Sequence, residues 1–487
     1  MKATLLIICT IFAIYATKVH SFSSDDYFPI YSSYVLRHGD RTAIWPLDPS
    51  KDSSPVWDNM VGNRSAGQLT STGVSMAYSK GQTFYNNIID VDGNNSYALL
   101  PSTYNFSTIQ FRATGYDRTL MTGYSFLSGI FYGDNSAPIP NNSSPVPIHA
   151  VLKTDDPLLR PYNTCPTLED FQASIDDIPE LWAEYEERKP ILDEVSQKVG
   201  SECTGPSTVQ SSLFDPLTCD RYHGYLPDNV TEDEYQVVKE MFYLVNQYKY
   251  SIEDPYYQLY SCNFLQELHD HIDSLFTDEY PTADAHFYFA HDSTIMAFRA
   301  GLGIPAYKVP EYVAHLGYEV LSKKSSPYRP SWVEDRVSSQ GSNMKDFYIR
   351  FVFGDNSDSF DATPFSSPYI DAYVASLSDG DTETLPEGYY RLDHFMDYVS
   401  SSVWSSDKFD QVCGNVPSNE MDWYWGMLIG ILASTVLLGV LILVLYCLRL
   451  RKSRASPVVG GEYSRVLTDA MTDIVGDPDL ATTTLLE

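Results

Sequence analysis

The segment from Tyr34 to Thr42 carries residue types that together could attack a phosphoryl group. It contains His38 between Arg37 and Arg41. Guanidinium groups match the oxygens of a phosphate with a planar fork, and they keep their charge at every physiological pH. A histidine between two permanent cations tends to stay neutral, and an imidazole acts as a nucleophile only in its neutral form. The spacing therefore predicts a site for phosphoryl transfer around His38.

A strand must lead into this segment. Residues 26–36 are rich in β-prone types and predict a strand that ends just before His38. Gly39 then predicts a turn, because glycine adopts backbone angles that other residues avoid.

A second junction of the same kind lies at residues 109–119. A short strand is predicted to end at Arg112, and Asp117 can cap the helix that follows. Ligands of open α/β sheets bind at the carboxyl ends of strands, so this junction could contribute Arg112 to the same site. Taken alone, Arg112 and Arg118 would more often be ordinary surface or ion-pair residues.

The third junction combines His291 and Asp292 at the end of a hydrophobic strand, with Ser293 as a candidate helix cap. A helix beginning there would add a partial positive charge and free N–H groups. In isolation the pair would be a packing residue and a helix cap.

Together, the three junctions resemble those of the histidine acid phosphatases, in branch 2 of the histidine phosphatase superfamily, over roughly residues 28–415. The resemblance implies a phosphate monoesterase without metal or cofactor. His38 would be the nucleophile that forms a phosphohistidine, with its other ring nitrogen donating to a backbone carbonyl such as that of Gly39. Asp292, protonated at acid pH, would be the proton donor. The phosphate oxygens would be bound by four residues, Arg37, Arg41, Arg112 and His291.

The resemblance also implies the fold, an α/β core of the phosphoglycerate-mutase type with a mainly parallel sheet flanked by helices. Prolines after residue 133 and a polar, helix-prone stretch behind them predict a smaller helical cap inserted into this core. The predicted organisation is a signal peptide at 1–21, the first part of the core at 22–132, the cap at 133–245, the second part of the core at 246–420, a transmembrane helix at 425–448 and a cytoplasmic tail at 449–487.

The two apolar segments predict a secreted, membrane-anchored chain. The short run near the N-terminus is typical of a signal peptide, whereas 425–448 is long enough to cross a bilayer. Arg449, Arg451 and Lys452 follow it directly, which predicts a cytosolic C-terminus and a type I topology. Six Asn-x-Ser/Thr sequons precede this helix and predict lumenal glycosylation at Asn63, Asn94, Asn105, Asn141, Asn142 and Asn229.

The net charge of the chain limits the kinds of partner that it can bind. A formal net charge of −32 over 487 residues argues against nucleic acid as a partner and fits an acidic compartment. A tyrosine-based sorting pattern at 463–466 fits a lysosomal or endosomal membrane protein, and the cell surface stays an alternative. Family members are often dimers, so a homodimer is possible.

Five of the seven cysteines fall in the predicted lumenal part, Cys165, Cys203, Cys219, Cys262 and Cys413. An oxidising compartment favours pairing, and an odd number leaves one thiol free or paired between chains. The resemblance implies a disulfide between Cys165 and Cys413. Cys219 resembles a family cysteine whose usual partner position is occupied here by Ala314, so it would pair with Cys203 or Cys262.

Two other functions remain open from the sequence. One is a related phosphatase with a restricted substrate, such as phytate or a lysophospholipid. The other is a catalytically silent ectodomain that acts as a receptor or adhesion module, although the site residues are retained.

Overall fold

A computed structural model describes most of the chain between Tyr27 and Ser453. The described residues are 27–47, 66–90, 99–101, 104–105, 107–131, 146–224, 226–227, 229–251, 256–277, 283–326, 328, 341–355, 363–377, 385–414 and 420–453. The predicted signal peptide, the cytoplasmic tail from residue 454 with its sorting pattern, and the sequons at Asn63, Asn94, Asn141 and Asn142 lie outside them.

Ten strands are described. They are β1 (Tyr27–Arg37), β2 (Ile89–Asp90), β3 (Leu100–Pro101), β4 (Ile109–Thr114), β5 (His149–Val151), β6 (Ala285–Ala290), β7 (His315–Lys323), β8 (Phe347–Gly354), β9 (Thr363–Pro364) and β10 (Tyr389–Arg391).

Eight of these strands form one mixed sheet in the order β10-β8-β7-β1-β6-β4-β5, with β9 beside β8. The pairs β1–β6, β6–β4 and β4–β5 are parallel, whereas the pairs on the β7 side are antiparallel. Five of the eight strands consequently run in one direction. The parallel part of the sheet, which was predicted to be mainly parallel, consists of β1, β6, β4 and β5. The central strand is β1, which is buried along its whole length.

Thirteen α-helices are described. They are α1 (Ser71–Ile88), α2 (Asp117–Phe131), α3 (Pro161–Thr164), α4 (Pro166–Ala173), α5 (Pro179–Val199), α6 (Asp215–Tyr222), α7 (Glu232–Lys249), α8 (Cys262–Thr277), α9 (Asp292–Gly301), α10 (Pro368–Ser376), α11 (Leu392–Ser402), α12 (Ser406–Cys413) and α13 (Glu420–Ser453). Short 3₁₀ or π turns occur at Ser174–Asp177, Pro206–Thr208, Gln210–Phe214, Tyr256–Tyr260 and Met344–Asp346.

Helices cover both faces of the sheet, so its strands can be apolar on both sides. One face packs against α1 and α2, and its core contains Phe84, Phe126 and Phe287. The other face packs against α8, α9 and α11, and its core contains Phe264 and Phe298. The predicted α/β class is confirmed by this arrangement.

Helices α5, α6 and α7 surround a separate apolar cluster that runs from Ile175 to Val245, with Leu47 added. One of these helices, α7, begins at a capping box of Thr231 and Glu234. However, β5 lies inside the range predicted as the cap and pairs with β4 of the main sheet. The helical cluster therefore begins later than residue 133.

The structure joins Cys165 to Cys413 by a disulfide that links the start of α4 to the end of α12. Cys203, Cys219 and Cys262 are buried free thiols, so the predicted second pairing of Cys219 is not formed. The contacts of Cys219 explain why, since its sulfur lies beside Arg41 and the hydroxyl of Tyr312 rather than near another thiol.

Helix α13 belongs to a different unit of the chain from the sheet and its helices. Within it, Leu432–Leu450 is long and apolar enough to cross a membrane by length and composition. This segment overlaps most of the predicted transmembrane range, 425–448.

Candidate active site

The three predicted junctions meet at the carboxyl ends of β1, β4 and β6, because these strands are parallel neighbours. A cavity of about 710 Å³ opens at this edge of the sheet and is walled on one side by the helical cluster. Five of the six predicted site residues line it, Arg37, His38, Arg41, His291 and Asp292.

His38 directly follows β1, lines the bottom of the cavity and is otherwise buried. Its Nδ1 lies 2.8 Å from the carbonyl oxygen of Gly39. A carbonyl oxygen only accepts, so Nδ1 carries the proton and Nε2 of the neutral ring keeps its lone pair. Burial, followed by the charges of Arg118 and Arg37, lowers the pKa of His38 well below its usual value. His38 is consequently a neutral imidazole with a defined tautomer.

A glycine is required at position 39 because another segment of backbone approaches it closely, and not because of unusual backbone angles as predicted. Its backbone does not have a positive φ. Instead, a Cβ atom at Gly39 would lie 2.5 Å from the carbonyl oxygen of Gly73, and one at Gly73 would lie 2.1 Å from that of Asp40. Two glycines therefore allow the loop after β1 to touch the first turn of α1.

The buried carboxylate of Asp40 holds this loop in place. Thr70 donates to Oδ2 of Asp40 and also caps α1 by accepting from the N–H of Gly73 at 2.9 Å. His223 lies with Nε2 at 2.8 Å from the same Oδ2. Sequence analysis missed Asp40, although its place between Gly39 and Arg41 was visible.

Arg37 is the last residue of β1 and forms an ion pair with Asp292, with 2.8 Å between Nη2 and Oδ2. It also donates to the carbonyl oxygen of Pro310 at 2.5 Å, and its guanidinium carbon lies 4.2 Å from the ring centroid of Tyr312. These contacts hold the guanidinium plane over the cavity floor.

Arg41 is held by a residue from the helical cluster. Its Nη2 lies 2.7 Å from Oδ1 of Asp215, the first residue of α6. The other oxygen of Asp215 accepts from the backbone N–H of Ile44 at 2.6 Å. Asp215 is therefore a site residue that sequence analysis missed, and no local pattern distinguishes it, because it lies 174 residues from Arg41.

His291 is the N-cap of α9 and faces His38, with 5.5 Å between the ring centroids. Its Nε2 lies 2.9 Å from the hydroxyl of Thr114, and its Nδ1 lies 3.5 Å from Nη2 of Arg118. Burial, followed by Arg118 and Arg160, lowers the pKa of His291 well below its usual value.

Arg112 does not line the cavity. Its Nη2 lies 2.6 Å from Oδ1 of the fully buried Asp156, and its Nη1 lies 3.6 Å from Glu267. Arg112 lies two residues before Thr114, the last residue of β4, and its side chain points into the contact with Asp156.

Arg118 occupies the cavity instead. It lies in the first turn of α2 and contacts both His291 and the ring of Tyr116, whose centroid is 4.2 Å from its guanidinium carbon. Burial, and then the repulsion of Arg41, lowers the pKa of Arg118 to about 10. Arg118 lies in the same predicted junction, residues 109–119, as Arg112. Which of the two arginines reaches the cavity depends on the direction of each side chain.

Asp292 sits at the start of α9, where its Oδ1 accepts from the N–H of Ser293 at 2.7 Å. Burial alone would raise the pKa of this carboxyl group, but the charges of Arg37, Arg41 and Arg118 outweigh burial and lower it. The surrounding cations therefore favour the ionised form of Asp292, whereas the resemblance implies a carboxyl group that is protonated at acid pH.

The geometry is thus that of a neutral imidazole surrounded by fixed positive charge. Three guanidinium groups and a helix N-terminus converge around His38. Such an arrangement stabilises a transferring phosphoryl group, whose oxygens carry the charge.

Comparisons with known proteins agree with this chemistry. The family model described as "Histidine phosphatase superfamily (branch 2)" matches residues 10–353. The bovine prostatic acid phosphatase is 27% identical over 58% of this chain and 70% of its own length. The human lysosomal acid phosphatase is 29% identical over 39% of this chain and 42% of its own length.

A solved structure supports the fold. The apo form of the Hafnia alvei phytase is 13% identical, covers 80% of this chain and 99% of its own, and superposes with a TM-score of 0.50. At this identity the likeness concerns the architecture of the α/β core with its helical part.

Proposed function

We propose, given that this chain belongs to the histidine phosphatase superfamily (branch 2) and is a phosphatase, that it hydrolyses phosphate monoesters through a phosphohistidine on His38. The observation that carries this proposal is the 2.8 Å contact between Nδ1 of His38 and the carbonyl oxygen of Gly39. It leaves Nε2 as the only ring nitrogen with a free lone pair.

In the first step Nε2 attacks the phosphorus, and the bond from phosphorus to the ester oxygen breaks. The three non-bridging oxygens are bound by Arg37, Arg41, Arg118 and His291. Arg118 takes the place that the sequence gave to Arg112, because Arg118 reaches the cavity and contacts His291. The arginines supply the charge stabilisation that this reaction needs.

The leaving oxygen needs a proton, and Asp292 is the group that transfers it. A phosphate monoester has a second pKa near 6, so at pH 5 it enters mainly as a monoanion with one proton. Its charge compensates Arg37, Arg41 and Arg118, which removes the cause of the lowered pKa of Asp292. The carboxylate then accepts the proton of the substrate and passes it to the leaving alcohol.

In the second step a water molecule attacks the phosphohistidine. Asp292, now a carboxylate, accepts the proton from water, and the electron pair of the breaking P–N bond returns to Nε2 of His38. Phosphate leaves with the proton that Asp292 took from water, so the neutral histidine and the carboxylate are both restored.

The surroundings of the site belong to the same proposal. The helical cluster of α5, α6 and α7 is the cap that shapes the leaving-group side of the cavity. The apolar segment in α13 anchors the chain, with the phosphatase unit on the lumenal side and the basic residues after it in the cytosol. Both described sequon asparagines, Asn105 and Asn229, are exposed, which supports lumenal glycosylation.

The experiment is hydrolysis of an aryl phosphate at pH 5 in the presence of EDTA by the full chain in detergent. We expect turnover that survives chelation and disappears in His38→Ala. Absence of turnover in the wild type would favour a catalytically silent binding module. Turnover that survives in His38→Ala would show that His38 is not the nucleophile.

A further inference from the structure

The cavity is strongly basic, although the chain carries a net charge of −32. Seven basic residues line it, Arg37, Arg41, Arg118, Arg160, Arg221, Lys239 and Lys249. Three of these form ion pairs with carboxylates at 2.7–2.8 Å, namely Arg37, Arg41 and Arg221. Among the described residues, the other four have no carboxylate within ion-pair distance. The catalytic proposal uses Arg118 and leaves three cations without a role.

Arg160 is the best fixed of these three. It precedes α3, and its backbone N–H donates to the carbonyl oxygen of Asp156 at 2.9 Å. The neighbouring Leu159 accepts from the hydroxyl of Thr294, in the first turn of α9, at 2.8 Å. The loop that carries Arg160 is therefore attached to the same helix that presents Asp292.

The guanidinium group of Arg160 is oriented but not neutralised. Its Nε and Nη2 donate to Oδ1 of Asn163 at 3.2 and 2.6 Å, and Nη1 has no hydrogen-bond partner among the described residues. The ring centroids of Tyr116 and Tyr162 lie 4.9 and 5.4 Å from its guanidinium carbon. A planar fork that lies beside two aromatic rings is suited to bind an anion.

The distance from the phosphate position follows from Tyr116. The guanidinium carbons of Arg118 and Arg160 lie 4.2 and 4.9 Å from the same ring centroid. The two guanidinium carbons are therefore at most about 9 Å apart, a limit within which one substituted aromatic ring can carry an anionic group to each of them.

From these distances and charges we propose that Arg160 forms a second anion subsite on the leaving-group side of the cavity. The substrate class is a phosphate monoester whose leaving group carries a second anionic group across a short, flat spacer. Lys239 and Lys249 add positive charge to the same cavity. This inference rests on the proposed function, because it assumes that the transferred phosphate lies at Arg118.

The test compares two substrates that differ only in this second charge. 4-Carboxyphenyl phosphate and 4-carbamoylphenyl phosphate have the same shape and similar leaving groups, and at pH 6 only the former has an ionised substituent. We expect a ratio of kcat/KM of about 10 in favour of the carboxylate, since hydrogen bonds to charged groups are the strong ones.

The variant Arg160→Gln should lower this ratio to about 1–2. Arg188→Gln is the matched control, because Arg188 lies on α5 in a partly exposed pair with Glu184 and does not line the cavity. It should keep the wild-type ratio. A wild-type ratio near 1, or a ratio that Arg160→Gln leaves unchanged, would overturn the subsite.

A binding measurement separates this inference from the proposed function. Calorimetry with the non-hydrolysable 4-carboxyphenyl and 4-carbamoylphenyl phosphonates should show the same roughly tenfold preference and the same loss in Arg160→Gln. If binding showed no preference while His38-dependent turnover persisted, only the subsite would be wrong. If the preference held but turnover did not need His38, the proposed function would be wrong instead.

Discussion

Arg112 and Arg118 come from the same junction between β4 and α2, yet they lie in different parts of the molecule. Arg112 lies within β4 and forms an ion pair with the buried Asp156. Arg118 lies after the strand, in the first turn of α2, and reaches the cavity beside His291. Residues within a strand contact the layers above and below the sheet, whereas residues after its last position reach the edge where ligands bind.

The same contrast separates two histidines at β6. His291 follows the strand and faces His38. His286 lies within the strand and stacks on His271 of α8, with 3.9 Å between the ring centroids. Both histidines are buried with a pKa well below the usual value, but Arg118 and other cations contribute only at His291, while burial and His271 act on His286. Position relative to the strand end therefore distinguishes a site residue from a core residue.

The variant Arg118→Ala should have the largest effect on activity. We expect kcat/KM for an aryl phosphate to fall about 100- to 1000-fold, as when one preorganised donor to a transition-state oxygen is removed. Thermal stability should change little, because Arg118 is repelled by Arg41. Steady-state kinetics and a thermal melt on the same sample test both parts. If kcat/KM fell by less than tenfold, Arg118 would not bind the transferred phosphate as proposed.

Asp292→Asn tests the other residue that follows a strand end. The amide cannot transfer a proton, so we expect about a 100-fold loss for an alkyl phosphate, whose leaving oxygen needs one. The loss should be far smaller for 4-nitrophenyl phosphate, which has a good leaving group. Equal losses for the two substrates would mean that Asp292 acts by charge or position rather than as the proton donor.

For Arg112→Ala we predict the opposite profile from that of Arg118→Ala. The fully buried Asp156 would lose its charged partner, which we expect to cost about 2–3 kcal/mol of unfolding free energy, at the low end for a buried pair because Arg112 is 22% exposed. The pKa of Asp156 is already raised by burial. Urea unfolding measures this loss, and kcat/KM should fall much less than in Arg118→Ala.

The double variant Arg112→Ala/Asp156→Ala serves as the control for this pair. Removing both charges should restore part of the lost stability, because no unpaired charge stays buried. A double variant that is less stable than the sum of the two single changes would show that the pair does not act as described.

The smallest expected effect concerns pH and His286. Its pKa is lowered in the folded state, so below about pH 6.5 the unfolded chain binds a proton that the folded chain does not. Stability is therefore lost as pH falls from about 6.5 toward the folded-state pKa, by up to about 1.4 kcal/mol per pH unit.

The variant His286→Phe should reduce this slope between pH 6.5 and 5, and His149→Phe, at an exposed strand position, is the matched control. Thermal melts at several pH values make the comparison. If His286→Phe and wild type lost stability in parallel, the buried pair would not account for the acid sensitivity.

Much of this arrangement is visible in the sequence because it depends on local patterns. The motif around His38 and the apolar run of β6 before His291 are both continuous stretches of the sequence. These patterns locate the edge of the sheet where the site lies and identify five of its residues.

The rest depends on contacts between distant parts of the chain. Asp215 holds Arg41 from the helical cluster, and the choice between Arg112 and Arg118 follows from where β4 ends. Likewise, the sulfur of Cys219 contacts Arg41 and Tyr312 rather than another cysteine. The number of cysteines in the sequence does not reveal these neighbours. None of these contacts has a signal in neighbouring residues.

The most direct test of the account is to trap the covalent intermediate on His38. Wild-type protein would be mixed with ³²P-labelled aryl phosphate at pH 5 for milliseconds, quenched in alkaline detergent, where phosphohistidine is stable, and digested for mass spectrometry. We predict phosphate on the peptide that contains His38, formed before steady-state turnover and absent in His38→Ala. Turnover without labelled protein, or label on any other residue, would contradict the mechanism.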